Sequence, residues 1–410
     1  MLKKYPQYFL LFFQLCCALA IVNGIQYIMQ QKSWSPIDEY AHMDYIEKLT
    51  RGHLPAISDT LSSEILKDLV QHPERSAVGH SQSVADMGLA LYSYQAKHPP
   101  LYYLLLSVPD RILKFFQCDV FQRLQILRTI TYTFYVAGTL LIWPVFFQLQ
   151  KRHAGIPHFF PWLVMLFSLL VYSHARYGLG NNALSPIFIN SSLLFALVFM
   201  NSNQLRFLLA ATLLSTLSCC VALSNFLLLP FLILLIAYLH FVKLRMQFWW
   251  LHMLLSIPSV LILISWKLLS LPDETTGSMI NLLLSTYIPA GMVNYFTCLR
   301  LLWDDLFTVH LFGYTANIGS AMALLLIGSL LILLVKLRGL QQERWLLFCL
   351  FIILVFFFAV FILNRYVDSV TWVAYRHYTG LTGILFLVIF SGALVLFKPQ
   401  NSSRNHAHPD

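Results

Sequence analysis

Stretches of about 20 apolar residues recur along this chain with hardly a charge inside them, and that is the length a helix needs to cross a bilayer core. They run roughly over 8–29, 129–150, 157–175, 183–200, 206–223, 226–242, 249–270, 315–335, 345–363 and 378–397. Charged residues make up 11% of the 410 residues, against about 25% in an ordinary soluble domain. A soluble enzyme, a disordered chain and a disulfide scaffold are excluded. The expected fold is all-α: a polytopic membrane protein with about ten transmembrane helices and a large first extracytoplasmic loop carrying interfacial helices. The net charge of +9 reports loop placement rather than nucleic-acid binding.

The run at 101–117 contains Asp110, Arg111 and Lys114. Charges at mid-bilayer cost about 2.5–3.5 kcal/mol each, so this segment is read as a helix lying against the outer membrane surface. With Lys3 and Lys4 cytoplasmic and 101–117 not spanning, the short basic loops all fall inside. They hold Lys151 and Arg152, Arg206, Lys243 and Arg245, Lys336, Arg338 and Arg344, with Lys398 and Arg404 in the tail. Only Glu343 and Asp410 accompany them, as the positive-inside rule requires. Both termini are thus expected in the cytoplasm. The single membrane domain, 1–410, divides into the first extracytoplasmic loop at 30–128, a second at 271–314 and a cytoplasmic tail at 398–410. The first apolar run has no small-x-small site near Asn23-Gly24 and is taken as an uncleaved helix. Cys118 and Cys298 are the two cysteines expected outside, and nothing in their spacing requires a bridge. No Cys/His spacing of a metal site is present.

The first outer loop opens with a marked helix, Ser35 to Gly52. Ser35 suits the cap and Pro36 the first turn. Lys48 and Arg51 suit the last turn, and Gly52 suits a left-handed end with Pro55 beyond it. At 100° per residue Asp38, His42 and Tyr45 share a face, with Glu39 beside it. Each has an ordinary reading too: Asp38 as the acid of a capping pair, Glu39 as a first-turn charge, His42 as an interfacial histidine. Further on, Lys97-His98-Pro99-Pro100-Leu101-Tyr102-Tyr103 reads as an extended approach feeding the surface helix.

Taken together, an acidic pair after the first span (Asp38-Glu39-x-x-His42), then Gly52-x-x-Pro55, then His98-Pro99-Pro100-Leu101, resembles the GT-C glycosyltransferases. These include the protein O-mannosyltransferases and the lipid A aminoarabinose transferases. Arg128, at the expected start of the second span, matches a recurrent arginine there. Tyr375-Arg376-His377-Tyr378 resembles the family's C-terminal arginine motif. In one respect the chain departs from the pattern. The next outer loop often carries an acid, whereas here Gly178-Leu179-Gly180-Asn181-Asn182 puts Asn182 in its place. An amide is a poor divalent-cation ligand alone, so no cofactor is expected with certainty and a divalent cation is doubtful.

The resemblance implies transfer of a sugar from a polyprenyl-phosphate carrier to a glycan, lipid or protein acceptor on the extracytoplasmic side. Membrane lipid is a further partner and nucleic acid is not. The implied catalytic residues are Asp38, as the base taking the acceptor's proton, and Glu39. The leaving phosphate needs cations around it. Arg376 is the first choice, because its planar fork matches phosphate oxygens; His377, Arg128 and His98 support it. His42 and Tyr102 complete the expected substrate-binding set. Tyr102, Tyr103, Phe115 and Phe116 are read as one wall of a lipid groove. Tyr287, Tyr295, Trp303, Asp304, Asp305 and His310 are read as sugar-holding residues of the second loop. Every basic residue in these sets is also explained as a headgroup anchor, and the aromatics as an interfacial belt.

Short loops and the lack of added domains favour a bacterial inner membrane. Two rivals stay open: a lipid-linked sugar transporter, and a non-catalytic or degenerate scaffold. A transporter usually carries ionisable groups near the midplane, and the runs from 129 to 397 are almost free of them.

Overall fold

The computed structural model describes residues 6–34, 39–56, 59–72, 75, 93–150, 158–170, 178–202, 204–222, 257–258, 261, 265, 308–311, 314–317 and 319–336. The expected runs at 226–242, 345–363 and 378–397 lie outside the described residues, and only isolated positions of 249–270 lie inside them.

The apolar runs form helices where they are described. Helix α1 is Pro6–Gln30. After the outer-loop elements, α5 (Val120–Leu140) continues through Leu141 into α6 (Ile142–Gln150). Then come α7 (Phe160–Leu170), α8 (Ser185–Ser202), α9 (Leu205–Cys219) and α10 (Gly319–Lys336). Among the described residues three helices, Gln7–Gln30, Val120–Gln148 and Asn181–Phe199, are long and apolar enough to cross a membrane. They mark a membrane protein. The described residues are mostly helical. They also include a short antiparallel hairpin, β1 (Thr308–Leu311) with β2 (Tyr314–Asn317), in register Thr308 with Asn317 and Leu311 with Tyr314. Its β-branched and aromatic residues flank a two-residue Phe312-Gly313 connection, a composition suited to a hairpin.

Helix α5 begins at Val120, nine residues ahead of the expected 129. The cause is a capping box: the Gln122 N–H donates to Asp119 Oδ1 (2.8 Å), and the Asp119 N–H donates to Gln122 Oε1 (3.1 Å). Arg123 and Arg128 therefore lie inside a helix, and the first outer loop closes by 119.

The spanning helices meet through glycines and neutral polar groups. α1 packs on α7 and α5, and α5 packs on α8. A Cβ at Gly24 would lie 2.3 Å from Tyr132 Oη, and one at Gly138 would lie 2.6 Å from the Ile187 backbone nitrogen. Small residues of this kind let membrane helices approach closely. Tyr135 Oη donates to the Ser168 carbonyl (2.5 Å), and Asn190 Nδ2 to that of Gly138 (2.8 Å).

The segment expected as the first outer loop supplies α2 (Glu39–Thr50), α3 (Ser63–Gln71), a 3-10 turn at Tyr94–Lys97 and α4 (Leu101–Phe115). Gly52 ends α2 with φ +80°. The Gly52 N–H bonds to the Leu49 carbonyl and the His53 N–H to that of Lys48, both at 2.9 Å. This is the left-handed glycine end expected from the sequence.

α4 is amphipathic in an inverted sense. Tyr102, Tyr103, Leu106, Ser107 and Asp110 are buried against the protein. Leu104, Leu105, Val108 and Ile112 are exposed, with Phe115 at 82% and Phe116 at 70% exposure. Its polar groups face protein and its apolar face is open, the reverse of a helix facing water. The four aromatics expected to form one wall thus divide: Tyr102 and Tyr103 lie inside, and Phe115 and Phe116 outside.

Candidate functional site

α2 is the spine of the site, buried on almost every side although it carries Glu39, His42, Asp44 and Glu47. Buried charges need partners, and each turn of α2 finds a different set.

At its first residue the Glu39 carboxylate takes a two-pronged bond from Arg128, through Nε (2.8 Å) and Nη2. Both side chains are fully buried. The Leu179 N–H adds a third bond to Oε1 (2.9 Å). Arg128 also donates to the carbonyls of Ser33 (2.8 Å) and Gln31 (3.4 Å). One ion pair thus ties the end of α1, the start of α2, the middle of α5 and the 178–184 segment.

One turn on, His42 Nδ1 is 2.8 Å from Tyr103 Oη. The Tyr103 ring stacks on Tyr45 with centroids 3.9 Å apart. Tyr45 Oη donates to the His98 carbonyl (3.2 Å), which fixes the His-Pro-Pro approach against α2. Beside it Tyr102 Oη is 2.9 Å from Thr131 Oγ1 and accepts the Gly180 N–H (3.1 Å). Burial pushes the hydroxyls of Tyr45 and Tyr102 well above the usual tyrosine value, so both stay neutral.

The next turns hold the rest of the loop. Asp44 accepts the Ser62 N–H (2.7 Å) and the Ser93 hydroxyl, and pairs with Lys48 at 3.1 Å. Glu47 accepts from Arg51 Nη2 (2.5 Å) and faces Lys114 (3.4 Å) and Arg123 (3.7 Å). Arg123 also bonds Asp110 (2.8 Å) and Glu64 (2.7 Å). Desolvation pushes the Glu47 carboxyl above its ordinary value, outweighing Lys114, Arg123 and Arg51. Of the charges in 101–117, Asp110 thus pairs with Arg123 of α5 and Lys114 with Glu47 of α2, while Arg111 donates to the Thr50 carbonyl (2.8 Å).

The structure brings Glu39, His42, His98, Tyr102 and Arg128 into one layer. Asp38, Arg376 and His377 lie outside the described residues, as do Tyr287, Tyr295, Trp303, Asp304 and Asp305. His310 falls in β1. Asn182 sits in a buried 3-10 turn, Asn181–Leu184, whose Asn181 amide donates to the Val221 carbonyl (3.0 Å). Among the described residues no group of three or more His, Cys, Asp or Glu residues could hold a metal ion. Sequence reasoning missed Tyr103 as the partner of His42, and the backbone donors of Leu179 and Gly180. A backbone donor leaves no trace in residue types, so no signal existed for those two. No protein-family model, curated protein or solved structure matches this chain.

Proposed function

We propose that this chain is an integral-membrane glycosyltransferase of GT-C-like layout, with about ten spans and both termini cytoplasmic. It moves a sugar from a polyprenyl-phosphate carrier to an acceptor outside a bacterial inner membrane. The observation that carries this reading is the meeting of four separate segments, 39–45, 98–103, 128 and 179–182, in one layer at the outer end of α1. Three of the motifs behind the resemblance, Asp38-Glu39-x-x-His42, His98-Pro99-Pro100-Leu101 and Arg128, reach into the first three of these segments.

In the proposed reaction the acceptor oxygen or nitrogen attacks the anomeric carbon as the bond to the carrier phosphate breaks, inverting that carbon. Asp38 takes the acceptor's proton. The leaving group departs as polyprenyl phosphate, stable as an anion, so a second carboxylic acid is not needed as it usually is in a glycosidase. Arg376, His377 and His98 supply positive charge to the phosphate. Arg128 acts as a positioning residue: its bonds to Glu39 fix the first turn of α2, directly after Asp38. The open apolar face of α4 supports a seat in the outer leaflet beside the carrier.

A second reading, a non-catalytic scaffold, is favoured by the same ion pair, because Glu39 and Arg128 satisfy each other. Envelope glycans and glycolipids weighed by mass spectrometry in a deletion strain, its wild-type complement and an Asp38→Asn complement separate the two. The expected result is a sugar mass lost in the deletion, restored by wild type and still absent with Asp38→Asn, because the amide cannot take a proton at neutral pH. A wild-type pattern from Asp38→Asn would hand the argument to the scaffold or transporter.

A further inference from the structure

The 3-10 turn before His98 carries a side chain that the proposed chemistry leaves unused. Gln95 is 1% exposed. Among the described residues neither its amide nitrogen nor its amide oxygen has a hydrogen-bond partner. Buried amides are almost always bonded, and each unmet group costs free energy, so an orphan of both kinds calls for an explanation.

The backbone that carries this amide is held in place. The Ser93 N–H bonds to the Asp59 carbonyl (2.7 Å), the Ala96 N–H to that of Ser93 (2.8 Å), and the His98 N–H to that of Gln95 (2.9 Å). The Ser93 hydroxyl is held by Asp44 and by Lys48 (2.5 Å), and the His98 carbonyl by Tyr45 (3.2 Å). Both ends are pinned to α2, one turn of which carries His42. A carboxamide offers two N–H donors and one carbonyl acceptor without charge. That set matches adjacent hydroxyls of a sugar, one donating to the oxygen and one accepting from the nitrogen. It is a poor match for phosphate, which takes only donors and favours charged ones.

We propose that the Gln95 carboxamide, in the turn that leads directly into the His-Pro-Pro approach, hydrogen-bonds neighbouring hydroxyls of the carried sugar and so selects which carrier is accepted. This rests on the glycosyltransferase reading and adds to it the part of the donor that is recognised. Sites built to bond a hydroxyl discriminate strongly, because a ligand lacking it leaves the buried groups unmet.

The test uses the full-length protein in detergent. It is offered a polyprenyl-lipid extract of the source membranes together with bare C55 polyprenyl phosphate, and the bound lipids are read by native mass spectrometry. Wild type is expected to enrich the sugar-bearing carrier over the bare one. Gln95→Met should lose that enrichment by about 10- to 100-fold, with bare-carrier binding unchanged and the melting temperature equal or higher. Gln95→Leu repeats the comparison if the Met variant melts below wild type. Enrichment retained in the folded variants would overturn the proposal and leave a buried water as the amide's partner. Equal binding of both lipids by wild type would overturn it while the carrier reading stands. No polyprenyl lipid on wild type would overturn both.

Discussion

The layer around α2, the outer one in the proposed topology, and the layer of the candidate spanning helices α1, α5 and α8 bury polar groups by opposite means. In the outer layer buried ions meet other ions: Glu39 with Arg128, Asp110 with Arg123, Asp44 with Lys48. In the spanning layer they are neutral, and they meet backbone carbonyls: Tyr135 to Ser168, Asn190 to Gly138, Ser192 to Ala211. The difference tracks what surrounds each layer. An ion pair can be assembled where hydrated charges can enter, whereas a charge carried into hydrocarbon is costly before it finds a partner. Arg128 lies at the seam, eight residues inside α5 and just before its most apolar stretch, with its whole side chain buried.

Breaking the seam should have the largest effect. Arg128→Met strands the Glu39 carboxylate among buried groups, and losing one partner of a buried pair costs about 3–5 kcal/mol. The double variant Glu39→Gln/Arg128→Met removes the stranded charge and should recover much of that loss. Chemical unfolding in micelles reads the cycle; additive losses would show that the two side chains are not coupled.

Crowding the spanning layer should cost less. The Cβ of Gly138→Ala meets a backbone nitrogen, which cannot swing aside, and overpacking of this kind costs about 1–3 kcal/mol. The outer layer should be untouched. A melting curve, with hydrogen exchange at α2 as control, checks both halves; loss of protection at α2 would show the layers are not separable.

The smallest effect concerns pH. Glu47 is raised above its ordinary value, so the folded state holds its proton more tightly than the unfolded chain. Its contribution therefore favours folding at low pH and is lost as pH rises through the folded value. Asp59 works the other way. Desolvation pushes it up, but bonds from His53 and the Ala56 N–H, with Lys48 nearby, hold it below the usual range. Its contribution is present above the unfolded value and is lost as pH falls through the folded one. Glu47→Gln should flatten the decline of stability with rising pH and leave the acid-side loss in place. Unfolding midpoints across the carboxylate range test this; an unchanged slope on the rising side would exclude Glu47 as its source.

The elements legible in the sequence are those whose cause is local. The Gly52 end of α2 follows from a residue that accepts positive φ, and α1 follows from length and hydropathy. That 101–117 forms a helix was legible from its apolar run, but the partners of its three charges were not. Glu47, Glu64 and Arg123 come from α2, α3 and α5, and no pattern within 101–117 points to them. The start of α5 was misjudged because Arg123 and Arg128 resemble loop residues until their pairing is known. Glu39 and Arg128 were both legible as candidates, each for its own motif. That they face each other across 89 positions was not.

That separation also sets an order of events during synthesis. When α1 and α2 have left the ribosome, the arginine that neutralises Glu39 has not yet been translated. The carboxylate must stay hydrated, and the outer layer must stay open, until α5 is threaded into the bilayer. Completion of this region is therefore sequential by construction: α5 supplies the charge partner of Glu39 only after α2 has been made, and a chain stopped short of Arg128 leaves that carboxylate without one.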